Sequence, residues 1–226
     1  MDKKRSYDEG CAAAHALDLV GERWALLVVR ELLLGPKRFT DLRDGMPGVS
    51  PNVLAQRLRD LEKVGVVTKH RLPPPAASQV YELSDWGKEL EPVIMALGRW
   101  GVRSPYMPFT APTSATAMVV ALETMFDPEA AEGFAGHFEL RFGDDHFRAE
   151  VEEGRLEFSR LPAPVSPPAD AVIVSDTDTF KGLAFNGLPT QTAIEMGALE
   201  LTGDRDRAEH FFSLFPLPEP LEAPTV

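Results

Sequence analysis

One short stretch of the sequence carries side chains whose types and spacing suit hydrogen bonding to nucleic-acid bases. Between residues 50 and 63, polar side chains recur about once per helical turn, at Asn52, Gln56, Arg59 and Lys63. An amide can pair with adenine through two hydrogen bonds, and a guanidinium group can bind guanine or a phosphate oxygen. We therefore interpret Asn52 and Gln56 as base-reading residues on a helix, and we expect Arg59 to reach bases or phosphates.

The same stretch contains the signals that would start, pack and end this helix. Ser50 can cap its amino terminus, and Pro51 suits the first helical position. Gly65 is the expected cap at its carboxyl terminus. The leucines that mark a buried face opposite the polar one are Leu54, Leu58 and Leu61.

Cationic side chains before and after this helix add to the predicted contact surface. We expect them to contact phosphates, which position a protein on DNA without reading its sequence. These residues are Lys37, Arg38, Lys69 and Arg71. Ser50 and Arg57 could reach bases or phosphates as well. Arg57 also has an alternative role, as a flank residue paired with an acid of its own domain.

The elements around the polar helix predict a winged helix-turn-helix, in which a short helix, a turn and a longer helix precede a hairpin. In chain order they are a helix at 12–20, an apolar helix from 24 up to the Gly35-Pro36 break, a short helix at 39–42, a turn at 46–48, the polar helix, and strands at 66–72 and 79–83 with a hairpin tip at 73–78.

A final helix of this region, capped by Ser84, carries an apolar stripe. The stripe residues recur every three or four positions and are Trp86, Leu90, Val93, Leu97 and Trp100. This pattern suits pairing with the same helix of a second copy, because one small domain would struggle to cover so long a stripe. The alternative is that the stripe packs on its own domain.

Residues 11–103 resemble the HxlR-type regulators, a branch of the MarR-like winged-helix proteins. The residues that carry the resemblance are Cys11, 16–21 with Trp24, 32–36 with Arg38, Phe39 and Leu42, the whole of 48–67, and Tyr81, Leu83, Trp86 and Gly87. The resemblance implies a homodimer whose terminal helices pair, with one recognition helix for each DNA half-site. It also places Cys11 where the family often has a redox-active thiol; the alternative for Cys11 is a small residue near the core.

The sequence changes character after residue 104. Prolines at 105, 108 and 112 cannot continue a helix, so we expect a domain at 1–104, a linker at 105–114 and a second domain at 115–226. Alternating apolar residues between 138 and 158 predict an antiparallel meander. The remaining predicted elements are strands at 171–174 and 199–202 and helices at 115–126, 176–185, 189–196 and 205–215. The predicted fold class is α+β, an antiparallel-rich sheet covered by helices.

This second order of elements is similar to the sterol carrier protein fold. Residues 174–176, 194–204 and 214–216 carry the similarity. That fold encloses an apolar tunnel between helices and sheet, which implies a small hydrophobic effector here. The residues expected to line the tunnel are Phe126, Phe180, Phe185, Met196, Phe211 and Phe212; their alternative role is plain core.

Charge divides the chain in the same way. The formal net charge is −12, but residues 1–104 have 16 Lys and Arg against 14 Asp and Glu, a net of +2, and the remainder has 7 against 21, a net of −14. Residues 37–71 have 8 basic and 4 acidic side chains, a local +4. An anionic partner would be drawn to the first region and repelled from the second.

Several functional classes find no support in the residues. The five histidines lack metal-ligand spacing, and no phosphate-binding loop or nucleophile motif is present, so we expect no enzyme and no cofactor. The absence of a long apolar run and of a signal-peptide pattern, together with a single cysteine, favours a cytoplasmic protein.

Three hypotheses follow from these patterns. The first is a homodimeric, sequence-specific DNA-binding transcriptional regulator that binds operator DNA and is controlled by a small apolar effector in the second domain. The second is a redox-responsive regulator that senses through Cys11 and has a passive second domain. The third is a small-molecule carrier whose winged helix only dimerises. The basic segment at 37–71 argues against the third, because a carrier has no use for it.

Overall fold

The computed structural model describes residues 6–74, 77–161 and 168–223. The chain folds into two compact units, Met1–Ile94 and Met95–Val226. The division falls earlier in the chain than the linker expected at 105–114.

Residues of the expected linker make hydrogen bonds within the second unit. Lys181 Nζ donates to the backbone carbonyls of Phe109 and Ala111, each at 3.0 Å. Thr177 Oγ1 donates to the carbonyl of Thr113 at 2.9 Å. These bonds satisfy backbone acceptors that a free linker would leave to water, so the segment is an ordered part of the second unit.

The first unit has the predicted winged helix-turn-helix order. Its elements are α1 (Ala12–Val20), α2 (Ala25–Leu32), α3 (Phe39–Asp44), α4 (Pro51–Lys63), β1 (Val67–Arg71), β2 (Gln79–Leu83) and α5 (Asp85–Lys88). The next helix, α6 (Glu91–Gly101), spans the division between the two units. Strands β1 and β2 pair antiparallel, with Lys69 opposite Tyr81. The hairpin tip predicted at 73–78 includes residues 75 and 76, which lie outside the described residues.

The prediction of one continuous helix after Ser84 is wrong. Ser84 caps α5 by accepting a hydrogen bond from the Gly87 amide at 3.0 Å, but α5 ends at Lys88 and α6 begins at Glu91. The reason is Pro92, which has no N–H to donate to the Lys88 carbonyl and whose ring would collide with it in a continuous helix. Proline thus starts a new helix instead of extending the first.

Apolar side chains of α2 and α4 form the centre of the first unit. Val28 and Val29 of α2 are completely buried, and all three leucines predicted for the inner face of α4 are buried with them: Leu54, Leu58 and Leu61. Full burial of a leucine stabilises a fold by about 1.5–3 kcal/mol. This packing fixes which side of α4 faces outward.

The second unit confirms the predicted α+β class. Its strands are β3 (Gly136–Phe142), β4 (Asp145–Glu152), β5 (Arg155–Leu161), β6 (Ala171–Ser175) and β7 (Leu199–Gly203), and its helices are α7 (Ala115–Met125), α8 (Thr177–Phe185), α9 (Thr190–Glu195) and α10 (Arg205–Phe212). The strand order is β5-β4-β3-β6-β7. All neighbours pair antiparallel except β3 and β6, which are parallel.

One face of this sheet is apolar because apolar residues alternate along each strand and the register places them side by side. Leu140 lies opposite Phe147 on one side and Ile173 on the other, and all three are fully buried. Aromatic side chains from α8 and α10 pack among the residues of this face; the ring centroids of Phe138 and Phe211, for example, are 4.4 Å apart. The helices therefore cover the apolar face.

Candidate nucleic-acid interface and ligand cleft

Helix α4 begins as its sequence signals predict and is capped one residue before the expected Gly65. Ser50 Oγ accepts a hydrogen bond from the Val53 amide at 3.3 Å, and Pro51 occupies the first turn. The carboxyl-terminal cap is Val64, and Gly65 is the next residue, with a left-handed φ of 82°. A glycine immediately beyond the cap reaches this conformation without steric cost, so the chain can turn sharply into the wing.

The polar face of α4 lies at the surface, opposite the buried leucines. Asn52, Gln56, Arg59 and Lys63 are all exposed. Two of them are joined, because Arg59 Nη2 donates to Gln56 Oε1 at 2.7 Å. The structure therefore brings the predicted base-reading side chains onto one accessible helical face.

Arg57 occupies a different environment from its neighbours on α4. Its side chain is 17% exposed, with Nη1 3.2 Å from Asp60 Oδ2 and 3.8 Å from Glu22 Oε2. This is the alternative role of Arg57, a flank residue paired with acids of its own domain. The arrangement ties α4 to the connection between α1 and α2, and it does not favour a direct contact with DNA.

Lys37 is the clearest correction to the predicted phosphate contacts. The residue is 8% exposed, and its Nζ lies 2.7 Å from Oε2 of the fully buried Glu31. Its backbone N–H and carbonyl both bond to the backbone of Tyr81 in β2, at 2.9 and 2.8 Å. Lys37 thus neutralises a buried carboxylate and joins the wing to the helices, and it is not available to a phosphate.

The other three cations predicted to contact phosphate remain exposed. Lys69 Nζ lies 5.5 Å from the centroid of the Tyr81 ring on the opposite strand. Arg71 Nε donates to the Ala77 carbonyl at 2.9 Å, which stiffens the wing. Arg38 precedes α3, and its backbone N–H donates to Asp41 Oδ2 at 3.1 Å.

The predicted dimerisation stripe is mostly exposed, with one exception. Trp86, Val93, Leu97 and Trp100 all lie at the surface, and Trp100 is 77% exposed. Leu90 instead packs against the core of the first unit. The alternative, in which the stripe packs on its own domain, therefore holds for Leu90. The other four side chains are exposed among the described residues.

Cys11 is exposed, which overturns the alternative that it is a residue near the core. It is a free thiol at the start of α1. The nearby backbone N–H groups of Ala14 and Ala13, in that order of importance, lower the pKa of the Cys11 thiol from its ordinary value. A lowered thiol pKa increases the thiolate fraction at neutral pH, and the thiolate is the reactive form.

The six residues expected to line a tunnel do not form one lining; Phe180, Phe211 and Phe212 instead pack against one another in the aromatic core. Phe180 and Phe211 are completely buried, and Phe126 packs with its ring centroid 6.3 Å from that of Phe215. Met196 is 71% exposed. Phe185 and Phe212 line a cleft in this unit. The alternative of plain core describes Phe180 and Phe211, because both are completely buried.

That cleft lies in the helical layer of the second unit and opens to solvent. It has a volume of about 520 Å³. Its apolar lining residues come from α8, from the turn before α9, from α10 and from the segment after α10: Leu183, Ala184, Phe185, Leu188, Pro189, Phe212, Phe215, Pro216 and Leu217. No strand of the described residues contributes to the lining, so this cleft is not a tunnel between helices and sheet.

Three polar side chains that line the cleft are joined to one another. Arg205 Nε lies 2.8 Å from Glu209 Oε1, and Nη1 donates to Gln191 Oε1 at 2.9 Å. Sequence reasoning missed these residues and most of the apolar walls, although the Gly187-Leu188-Pro189 turn between α8 and α9 was readable as a break where a cleft could form.

Two kinds of site are absent from the portion of the chain that the structure describes. No group of three or more His, Cys, Asp or Glu side chains there is placed to hold a metal ion. Nor does any described helix have the length and apolar character needed to cross a bilayer.

Comparison with known proteins yields two family matches, one for each region. Residues 19–107 match the HxlR-like helix-turn-helix family, and residues 122–216 match the SCP-2 sterol transfer family. The HTH-type transcriptional regulator sll1512 of Synechocystis is 36% identical over 91 residues, which are 40% of this chain and 67% of that protein. The regulator YvaP of Bacillus subtilis is 36% identical over 85 residues, 38% of this chain and 79% of its own.

Among solved structures, the reduced form of the B. subtilis transcriptional regulator YodB is 30% identical, covering 43% of this chain and 97% of that one, with a TM-score of 0.38. The redox regulator HypR in its oxidized form is 29% identical and covers 40% and 94% of the two chains, with a TM-score of 0.37. The alignments thus cover nearly the whole length of these two regulators but less than half of this chain.

Proposed function

We propose that this chain, which belongs to the HxlR-like helix-turn-helix family of transcriptional regulators, binds duplex DNA sequence-specifically through α4. The observation that carries the proposal is the exposed face of α4, where Asn52, Gln56 and Arg59 stand opposite three buried leucines. A helix of this size fits the major groove, in which amide and guanidinium side chains distinguish bases.

Backbone contacts would supply most of the affinity. Arg38 before α3 and Lys69 and Arg71 in the wing are the exposed cations that we assign to phosphates. The acidic second region does not oppose this, because its charge of −14 lies outside residues 1–104. Repulsion from DNA would favour orientations in which the basic region approaches first.

We further propose that the protein acts as a homodimer. Val93, Leu97 and Trp100 project from α6 into solvent, although large apolar side chains usually find cover. Pairing of α6 with its copy would bury them. Two recognition helices would then read half-sites about one helical turn of DNA apart, roughly 10 base pairs.

The cleft of the second unit is our candidate effector site. Its volume of about 520 Å³ falls within the roughly 300–1,000 Å³ of typical small-molecule sites. Its lining combines apolar side chains with a nearly equal share of polar surface, to which Arg205, Glu209 and Gln191 contribute. A small hydrophobic molecule with a polar end fits this combination.

The decisive test of DNA binding uses the full chain as bait for genomic fragments. Enriched fragments are sequenced and returned to a binding titration at several salt concentrations. We expect a shared, dyad-related sequence and a steep fall in affinity with salt. Enrichment of no sequence above the input would overturn the proposal and would favour the carrier hypothesis.

A separate test addresses the effector. Melting curves of the full chain are recorded against a panel of small hydrophobic molecules. A true ligand present at about 100 times its Kd should stabilise the fold by about 2.7 kcal/mol. Leu188→Glu, which places a charge in the cleft wall, should abolish the shift, whereas exposed Met196→Glu should leave it unchanged. Unshifted curves across the panel would count against the site.

Thiol sensing through Cys11 is a second candidate for regulation. Two observations favour it: the side chain is exposed, and backbone N–H groups lower its pKa. Sensing of this kind does not require the cleft, so the two candidates can be tested independently.

A further inference from the structure

Side chains on the outer surface of α4 form a connected chain of polar contacts centred on Asp60. Asp60 Oδ1 accepts a hydrogen bond from Gln56 Nε2 at 2.8 Å, and Oδ2 lies 3.2 Å from Arg57 Nη1. Gln56 Oε1 in turn accepts from Arg59 at 2.7 Å. Arg57 also lies 3.8 Å from Glu22 and is mostly buried. We call these five residues the Asp60 network; it runs from a half-buried anchor to the exposed end at Arg59.

The network uses half of the hydrogen-bonding capacity of the Gln56 amide. A primary amide has two N–H donors and an oxygen with two lone pairs. Asp60 takes one donor and Arg59 fills one lone pair. One donor and one lone pair remain, on atoms bonded to the same carbon.

This remaining pair matches adenine and mismatches guanine. In the major groove adenine presents N7 as an acceptor and N6 as a donor, so it can bond to both atoms of the amide. Guanine presents two acceptors, N7 and O6. With one N–H already given to Asp60, Gln56 can satisfy only one of them, and its oxygen would face another oxygen.

The contacts also fix which way round the amide lies. A carboxylate only accepts and a guanidinium only donates, so Asp60 must face the nitrogen of Gln56 and Arg59 must face its oxygen. A free glutamine would have to lose rotamer freedom on binding, and a held one has already done so. Asp60 therefore affects both the orientation of the Gln56 amide and the conformational entropy that Gln56 loses on binding.

We propose that Asp60 is a positioning residue for base recognition: it holds the Gln56 amide in the orientation that selects adenine over guanine. The inference rests on the proposed function, in which α4 enters the major groove. Asp60 itself touches no base in this scheme. Its removal would weaken discrimination while strengthening general attraction to DNA, because one negative charge leaves the helix and Arg57 loses its nearer partner.

The experiment begins with the full wild-type chain and a duplex pool randomised across two successive major grooves. Selected duplexes are then changed from adenine to guanine at one position at a time, and competition titrations measure the discrimination ratio. Gln56→Ala identifies the position that Gln56 reads. At that position we expect Asp60→Ala to lower discrimination by about tenfold, the size expected for part of a bidentate contact.

A double-variant comparison shows whether Asp60 acts through Gln56. In the Gln56→Ala background, Asp60→Ala should change the discrimination ratio no further. An equal loss in both backgrounds would overturn the inference, and so would a wild-type ratio in Asp60→Ala. Asp60→Leu, which has bulk and high helix propensity but no acceptor, repeats the test if the alanine variant is unstable.

Two controls separate positioning from charge and from fold. Glu62→Ala removes an exposed acid from the same helix, so it should strengthen non-specific binding and leave discrimination unchanged. Glu89→Gln changes an exposed acid outside both the network and α4, and it too should keep wild-type discrimination. Loss of discrimination in Glu62→Ala would mean that removing any negative charge from α4 has this effect, and it would overturn the inference. A wild-type chain that selects no sequence would overturn the proposed function and this inference together.

Discussion

The two candidate sites of this protein are built in opposite ways. The face of α4 is a convex surface whose polar side chains are exposed and bonded to one another. The cleft of the second unit is a concave surface with mixed polar and apolar lining. It adjoins the aromatic core, where the ring centroids of Phe180 and Phe212 are 5.5 Å apart. Function and stability are therefore separable on α4, whereas changes near the cleft act on both. Substitutions can test this difference.

The largest effect should come from the aromatic core. Phe211→Ala removes a fully buried ring and should lower the free energy of unfolding by about 3–5 kcal/mol. Met196→Ala, in the same unit and at the surface, should change it by about 0.5 kcal/mol or less. Denaturant unfolding of the full chain measures both. Equal effects would mean that the aromatic cluster is not the core of this unit.

Two lysines of the first unit should behave in contrasting ways. Lys37→Met removes one of the two cations that contact the buried Glu31 carboxylate, the other being Arg30, and should cost about 1–3 kcal/mol of stability. Lys69→Ala should leave stability nearly unchanged and should reduce the slope of log affinity against log salt by about 0.9. Unfolding and salt titrations distinguish the two. A stable Lys37→Met chain would contradict the buried pair, and an unchanged salt slope would remove Lys69 from the phosphate contacts.

On α4, Gln56→Ala should change recognition without changing the fold. We expect a loss of about 1–3 kcal/mol in binding to the preferred duplex, and a weaker sequence preference. Its unfolding midpoint should match that of the wild type, because the side chain is exposed. Equal weakening on every duplex would rule out base readout by Gln56 and would leave it a positioning or phosphate-contacting role.

The smallest structural change is Cys11→Ser, which keeps the shape of an exposed side chain. Because the thiol pKa is lowered, thiolate is present above that lowered value and is lost as pH falls through it. Modification by a thiol reagent should therefore slow toward acidic pH. Peroxide should alter DNA binding of the wild type and leave Cys11→Ser unaffected. Identical responses in a DNA-shift assay would end the sensing hypothesis.

Much of the fold was predictable because its signals are local. Ser50 and Pro51 start α4, its leucines repeat along one face, and the alternation around Phe138 and Leu140 predicts the meander. One break was also readable and was missed, since Pro92 in the sequence marks the end of α5 and the start of α6. The family resemblance and the fold class, both argued from such patterns, are confirmed.

The sites were predictable only in part, because accessibility depends on residues distant in the chain. Lys37 and Lys69 are the same residue type in the same basic segment, yet only one is exposed. Glu31 and the backbone of Tyr81 decide this, and neither is visible in the local pattern around Lys37. Arg57 is an intermediate case, because its nearer acid, Asp60, lies on the same helix and its second acid, Glu22, lies between α1 and α2.

By itself the sequence determined the helical periods, the caps, the two compositional regions and the identity of the side chains on the outer face of α4. Those features arise within a few residues, from backbone sterics and from the spacing of apolar groups. Tertiary structure alone decided that Lys37 neutralises a buried carboxylate, that the aromatic residues of the second unit are mostly core, and that a cleft opens among α8, α9 and α10. Burial and pairing are set by whichever distant groups packing brings together, and the free-energy cost of an unpaired buried charge then fixes those contacts.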